Sequence, residues 1–126
     1  MSHSMQTVLL DTDYAINFLR GIQEAKNIIV PLWQKNSAFL SILSVYELFA
    51  GMRPSEEQAT NDFINACRIE SISMEIAKKA GAYRYKYQRQ GITLSVVDCL
   101  IAETARINRH QIATNNKKHY PASVFF

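Results

Sequence analysis

The chain has 126 residues, 48% apolar and 20% charged, with 14 Lys plus Arg against 11 Asp plus Glu for a formal charge of +3. That size suits one domain able to bury roughly 65–70% of its unfolded surface, and the mixture excludes disordered, collagen-like and repeat classes. The small positive excess permits approach to a polyanion without establishing it.

Residues 1–6 are polar, lack an apolar signal core and read as a disordered terminus or expression scar; they are set aside with His3, leaving residues 7–126 as a single domain. Residues 6–11 (QTVLLD) form a short β-rich run closed by an acid, and residues 13–20 have helical character up to Gly21. A second helical stretch spans 22–35, where Pro31 is expected to end or kink the helix near Val30. Residues 37–42 (SAFLSI) read as a strand and 44–52 (SVYELFAGM) as a helix closed by Gly51 and Pro54. Residues 55–67 carry Ala59, Phe63, Ile64 and Ala66 at helical spacing, followed by a short strand at 68–72. Two long helices follow, 73–90 ended by Gly91 and 95–109, then short strands at 111–114 and 123–126 around the polar turn 115–120.

Strands alternating with helices predict an α/β fold, a three-layer α/β/α sandwich around a central, mostly parallel sheet, because parallel neighbours need crossovers that carry helices to the faces. The longest apolar stretches are each interrupted by an acid and fall short of the roughly 20 residues a bilayer requires, so no membrane span is expected. Cys67 and Cys99 fit no paired-cysteine motif and read as buried thiols of a reducing, cytoplasmic compartment.

Acids fall where open α/β sheets hold their ligands, beyond the carboxyl ends of strands. Asp11 closes the first strand, Glu47 follows the second, Asp98 opens the helix near Ser95, and Asn116 follows the strand at 111–114. Converging carboxylates raise one another's pKa, and a divalent cation relieves the conflict. An oxygen-only donor set favours Mg2+ or Mn2+ over zinc. The bland alternative is local: Ser44-x-x-Glu47 and Ser95-x-x-Asp98 both fit the capping box that stabilises a helix start. Capping accounts for neither Asp11 nor Asn116.

The segments VLLDTDYAINFLRG, SILSVYELFAGMR, LSVVDCLIAETA and IATNNKKHY resemble, in this order, the motifs of the PIN domain and of its VapC-type ribonuclease toxins. Their key positions stand 36, 51 and 18 residues apart, and the resemblance covers residues 7–126. It implies a metal-dependent endoribonuclease in which Asp11, Glu47 and Asp98 match the family's acidic positions and Asn116 the fourth, where Asp is frequent. Asp13 is placed to restore the charge that Asn116 lacks, or to stabilise its own helix start. Thr114 falls at a matching hydroxyl position, which the resemblance implies orients water or phosphate; read locally it is a strand-end turn hydroxyl. The resemblance further implies a metal-activated water attacking RNA to leave 5′-phosphate and 3′-hydroxyl ends, a cognate antitoxin protein as partner, and a homodimer. The helical segments 13–32 and 44–63 are the expected contact surfaces.

Arg53, Lys117 and Lys118 are the candidates for phosphate contact, while Lys78, Lys79, Lys86 and Arg89 share one face of the long helix as a solvated basic stripe or an RNA track. His110 and His119 have no metal-ligand spacing and read as turn or RNA contacts; Trp33, Tyr46, Phe49 and Phe63 read first as core and otherwise as a partner groove. Two other readings stay open on residues alone. The run VLLDTD also fits a haloacid-dehalogenase-like phosphotransferase using Asp11 and Asp13, and a catalytically silent RNA- or protein-binding domain is compatible with Asn116.

Overall fold

A computed structural model describes residues 6–115, 117 and 120. Its elements run β1 Val8–Leu10, α1 Thr12–Leu19, α2 Gln23–Gln34, β2 Ala38–Ser41, α3 Ile42–Gly51, a 3-10 turn Pro54–Glu56, α4 Glu57–Ala66, β3 Arg68–Glu70, α5 Met74–Arg89, α6 Val96–Asn108 and β4 Gln111–Ala113. The four strands form one parallel sheet in the order β3-β2-β1-β4. Neighbours stay in simple register, with Leu9 opposite Phe39 on one side and Ile112 on the other.

Period-two alternation decides which helices cover which face. Val8, Leu10, Ala38, Leu40 and Ala113 point to the α1–α4 side, where Ala15, Ile29, Leu32, Leu48 and Phe63 meet them. Leu9, Phe39 and Ile112 point to the opposite side and meet Ala80, Tyr83, Ile101, Ala102 and Ala105 of α5 and α6. The central strand β1, flanked by β2 and β4 and buried on both faces, is apolar at every position, which is why it reads as an unbroken VLL. The three-layer parallel architecture expected from the sequence is therefore the observed one.

Pro31 does not break its helix: α2 continues to Gln34 with the proline exposed in its last turn. There the missing N–H costs one hydrogen bond near an end that already leaves carbonyls open. Helix α3 begins at Ile42, capped by Ser41, so Ser44 lies inside the helix and not at its start. Tyr46 and Phe49, expected in the core, stand exposed on the outer face of α3, with Tyr46 72% accessible. Trp33 and Phe63 do pack, closing a three-ring cluster with Phe18 at centroid separations of 4.8–5.4 Å. Cys67 and Cys99 are buried free thiols, as expected. The strand expected at 123–126 lies outside the described residues. Among the described residues no helix is long and apolar enough to cross a membrane.

The order β3-β2-β1-β4 has a functional consequence. The chain leaves β1 toward β2 and β3, then returns to add β4 on the other flank of β1, so the switch in direction lies between β1 and β4. In such sheets a crevice opens there beyond the strand ends. The residues directly after those two strands are Asp11 and Thr114.

Candidate active site

Contrary to the expectation that capping leaves Asp11 unexplained, Asp11 caps α1 from the end of β1. Its Oδ1 accepts a hydrogen bond from the Thr12 amide at 2.8 Å, and its backbone N–H donates to the Ala113 carbonyl at 2.9 Å, tying the turn across the sheet. Its Oδ2 accepts from the Thr114 hydroxyl at 2.7 Å and from the Tyr120 hydroxyl at 3.2 Å. Asp11 is only 5% exposed. Burial pushes its carboxyl above the ordinary carboxylate range; the hydrogen bonds from Thr114 and Thr12 oppose that, and the Asp98 charge adds to it.

Asp98 enters from the first turn of α6, where Ser95 caps the helix by accepting from the Asp98 amide at 3.0 Å. Capping thus fixes the backbone of Asp98 while its carboxylate serves the crevice: Oδ1 lies 3.2 Å from the Tyr120 hydroxyl. Asp13, half-buried in the first turn of α1, is pushed up to about 6 by burial and then by the Asp11 charge, with Asp98 contributing. The charges of Asp11 and Asp98 both act on Asp13, so it lies in the field of this crevice. Tyr120 is buried, and burial together with the charges of Asp11 and Asp98 raises its pKa, keeping its hydroxyl protonated.

Glu47 joins through an intermediary. The Thr12 hydroxyl donates to Glu47 Oε1 at 2.6 Å and lies 2.8 Å from the Ser44 hydroxyl, which donates in turn because Thr12 has a single proton to give. The local capping reading of Ser44 and Glu47 is therefore replaced by a tertiary one: both face Thr12 across from α1. Asp11, Asp13 and Asp98 are brought together and Glu47 is held one residue away. Among the described residues no three His, Cys, Asp or Glu side chains already form a metal cage. Asn116, Lys118 and His119 lie outside the described residues. Arg53 is exposed past the end of α3, and Lys117 is exposed in the turn before Tyr120. The basic stripe Lys78, Lys79, Lys86 and Arg89 is exposed on α5, opposite the buried Ile76, Ala80 and Tyr83.

His110 is neither a turn decoration nor a surface contact. It is buried, bonded through Nδ1 to the Thr7 hydroxyl at 2.6 Å and through Nε2 to Glu70, with its ring 4.3 Å from Phe39. Three residues of the crevice escaped sequence reasoning: Thr12, Ser44 and Tyr120. Thr12 carried a local signal, being the hydroxyl residue between two acids at a strand end, whereas Tyr120 closes the segment IATNNKKHY but sits 109 residues from Asp11, and nothing in that segment marks its hydroxyl as a carboxylate partner.

The donors that meet here are carboxylates and hydroxyls, a hard-oxygen set, and burial makes their joint ionisation costly. That combination fits a divalent cation held by Asp11 and Asp98. A parallel α/β/α domain with acids gathered at its topological switch point is the architecture of a small metal-dependent phosphoryl-transfer or nuclease domain. Residues 8–123 match the family model described as PIN domain, and the chain belongs to that family. Within it the chain groups with the VapC ribonucleases. It is 32% identical over 114 residues to Ribonuclease VapC10 of Mycobacterium tuberculosis, covering 90% of this chain and 86% of the relative. It is 34% identical over 116 residues to Ribonuclease VapC19 of the same species, covering 90% and 91%. Among solved structures it is similar to a chain of a toxin-antitoxin complex from Klebsiella pneumoniae, with TM-score 0.78, 26% identity and 92% of each chain covered. Its fold also matches a chain of FitAcB from Neisseria gonorrhoeae, with TM-score 0.76, 20% identity and 90% and 91% covered. Membership of this family displaces the phosphotransferase alternative for Asp11 and Asp13.

Proposed function

We propose that the protein is an endoribonuclease toxin that hydrolyses RNA phosphodiesters with the help of Mg2+ or Mn2+ at the Asp11–Asp98 crevice. The observation that carries this reading is the hydroxyl-linked pair of acids: Asp11 and Asp98, from segments 87 positions apart, share the Tyr120 hydroxyl at 3.2 Å each, with Asp13 beside them. Asp11 and Asp98 would hold the cation directly, Asp13 would add negative charge, and Glu47 would act through water or as a base. Asn116 would contribute a neutral oxygen to the same ion. The bound cation supplies water activation and charge neutralisation at the phosphate. Thr114 and Thr12 fix the acids: one donates to Asp11 and the other to Glu47, so neither carboxylate is left to rotate. Arg53, Lys117 and Lys118 contact phosphates of the RNA.

The partner in this reading is a cognate antitoxin, supported by the toxin-antitoxin complexes among the structural neighbours. A groove of about 220 Å³ runs between α1, α3 and α4, lined by Ile16, Leu19, Leu48 and Met52 with Arg20 and Glu56 at its rim, on the helices expected to make such contacts. A second copy of the chain covers the exposed Ile42, Tyr46 and Phe49, which share one face of α3; a monomer at high concentration argues against that homodimer. The buried free thiols favour a cytoplasmic setting. The test is cleavage of RNA by purified protein with and without Mg2+ or Mn2+. Cleavage that needs the ion, stops in Asp98→Asn and leaves 5′-phosphate ends supports the proposal, and metal-independent cleavage contradicts it.

A further inference from the structure

We infer that the Tyr120 hydroxyl competes with the divalent cation for the oxygens of Asp11 and Asp98, so that this one hydroxyl weakens the metal affinity of the site. The inference rests on the metal-dependent reading above and concerns a residue that neither strand-end position nor motif spacing singled out.

A carboxylate oxygen offers about two acceptor positions. On Asp11, Oδ2 accepts from both Thr114 at 2.7 Å and Tyr120 at 3.2 Å, so the oxygen turned toward Asp98 is fully subscribed by the protein. A hard cation needs such an oxygen unprotected. One hydrogen bond must therefore yield, and the geometry decides which. Thr114 is closer by half an ångström and donates to Asp11 Oδ2. Tyr120 has one proton and two acceptors, Asp11 Oδ2 and Asp98 Oδ1, each at 3.2 Å, so it satisfies either only in part. The weaker and divided bond gives way. The same hydroxyl lies between the two carboxylates, where a cation shared by them would be held. A phenylalanine at 120 keeps the ring packed against the α5–α6 core and removes only the competitor.

The test compares Mn2+ binding to the wild-type chain and to Tyr120→Phe by isothermal titration calorimetry without RNA, with thermal melting of both metal-free proteins as a folding control. Loss of one charge-assisted hydrogen bond on metal entry predicts binding about tenfold tighter, or more, in Tyr120→Phe. Equal or weaker binding in the folded variant overturns the inference while leaving the metal site intact. That result means the cation uses Asp11 Oδ1, or that the hydroxyl holds the acids in place for it. If neither protein binds Mn2+, the metal-dependent reading fails and takes the inference with it. A second measurement needs no variant: in wild-type protein labelled with 13C at tyrosine Cζ, one of the six tyrosine signals shifts on titration with Mg2+, with the midpoint of the calorimetric curve. Six signals that stay in place through metal saturation overturn the inference.

Discussion

Asp11 serves two masters, cap and proposed ligand, and two substitutions separate them. Asp11→Asn keeps the shape and the N-cap, since Asn caps as well as Asp, and removes the charge that burial and Asp98 make costly; its NH2 stands where Oδ2 was, and the Thr114 and Tyr120 hydroxyls turn to accept from it. The metal-free melting midpoint should stay within about 1 kcal/mol of wild type, which is about 4 °C for a chain this long. Asp11→Ala loses the cap, at about 0.5–2 kcal/mol, and leaves the buried Thr114 and Tyr120 hydroxyls short of an acceptor at about 1–3 kcal/mol each. Relief of the buried charge offsets part of this, so about 2–4 kcal/mol, or about 8–16 °C, is expected. In an RNA-cleavage assay with Mg2+ or Mn2+ both variants should fall about a thousandfold or more, because several kcal/mol of charge stabilisation at the metal is gone. The signature is thus one activity loss with two stabilities. Wild-type cleavage by a folded Asp11→Asn protein, or an Asp11→Ala protein as stable as Asp11→Asn, refutes the reasoning.

Further outcomes follow from the same geometry. Asp13 binds its proton more tightly folded than unfolded, so its contribution favours the folded state as pH falls through about 6 toward 4 and is lost as pH rises. The metal-free melting midpoint should therefore decline less between pH 5 and pH 7 in Asp13→Asn than in wild type; identical pH slopes contradict this. Phe63→Ala opens the three-ring cluster with Phe18 and Trp33 and should cost about 3–5 kcal/mol in chemical denaturation. Thr12→Val strands the Glu47 carboxylate and the Ser44 hydroxyl, and should lower cleavage while shifting stability by about 1–3 kcal/mol. If basic side chains guide the RNA, binding weakens steeply between low and physiological salt, and a flat response removes them from the account.

What the sequence exposes and what it hides divide along a physical line. Sheet and layers were legible because their causes are local: VLL and AFLS alternate faces between buried neighbours, and Ser73 and Ser95 cap the helices they precede. Asp11 was legible as well, since a charged residue directly after a buried strand marks the strand's end. The errors arose where tertiary contact outweighs local preference. Ser44 and Glu47 fit a capping box, yet the helix begins at Ile42 with Ser41 as its cap, and Ser44 and Glu47 bond Thr12 instead. Helix α3 is apolar nearly all round, so periodicity could not say that Tyr46 and Phe49 face outward. His110 looked like a turn residue because its partners, Thr7 and Glu70, lie 103 and 40 positions away. Tyr120 was invisible for the same reason: only the folded chain brings its hydroxyl between two acids.

The most direct test of the central claim is a crystal of the protein soaked in Mn2+ and measured for anomalous scattering. The account predicts one strong peak in the crevice between the ends of β1 and β4, bounded by the carboxylates of Asp11 and Asp98. A crystal that takes up Mn2+ only elsewhere, or leaves that crevice without a peak at saturating metal, contradicts it.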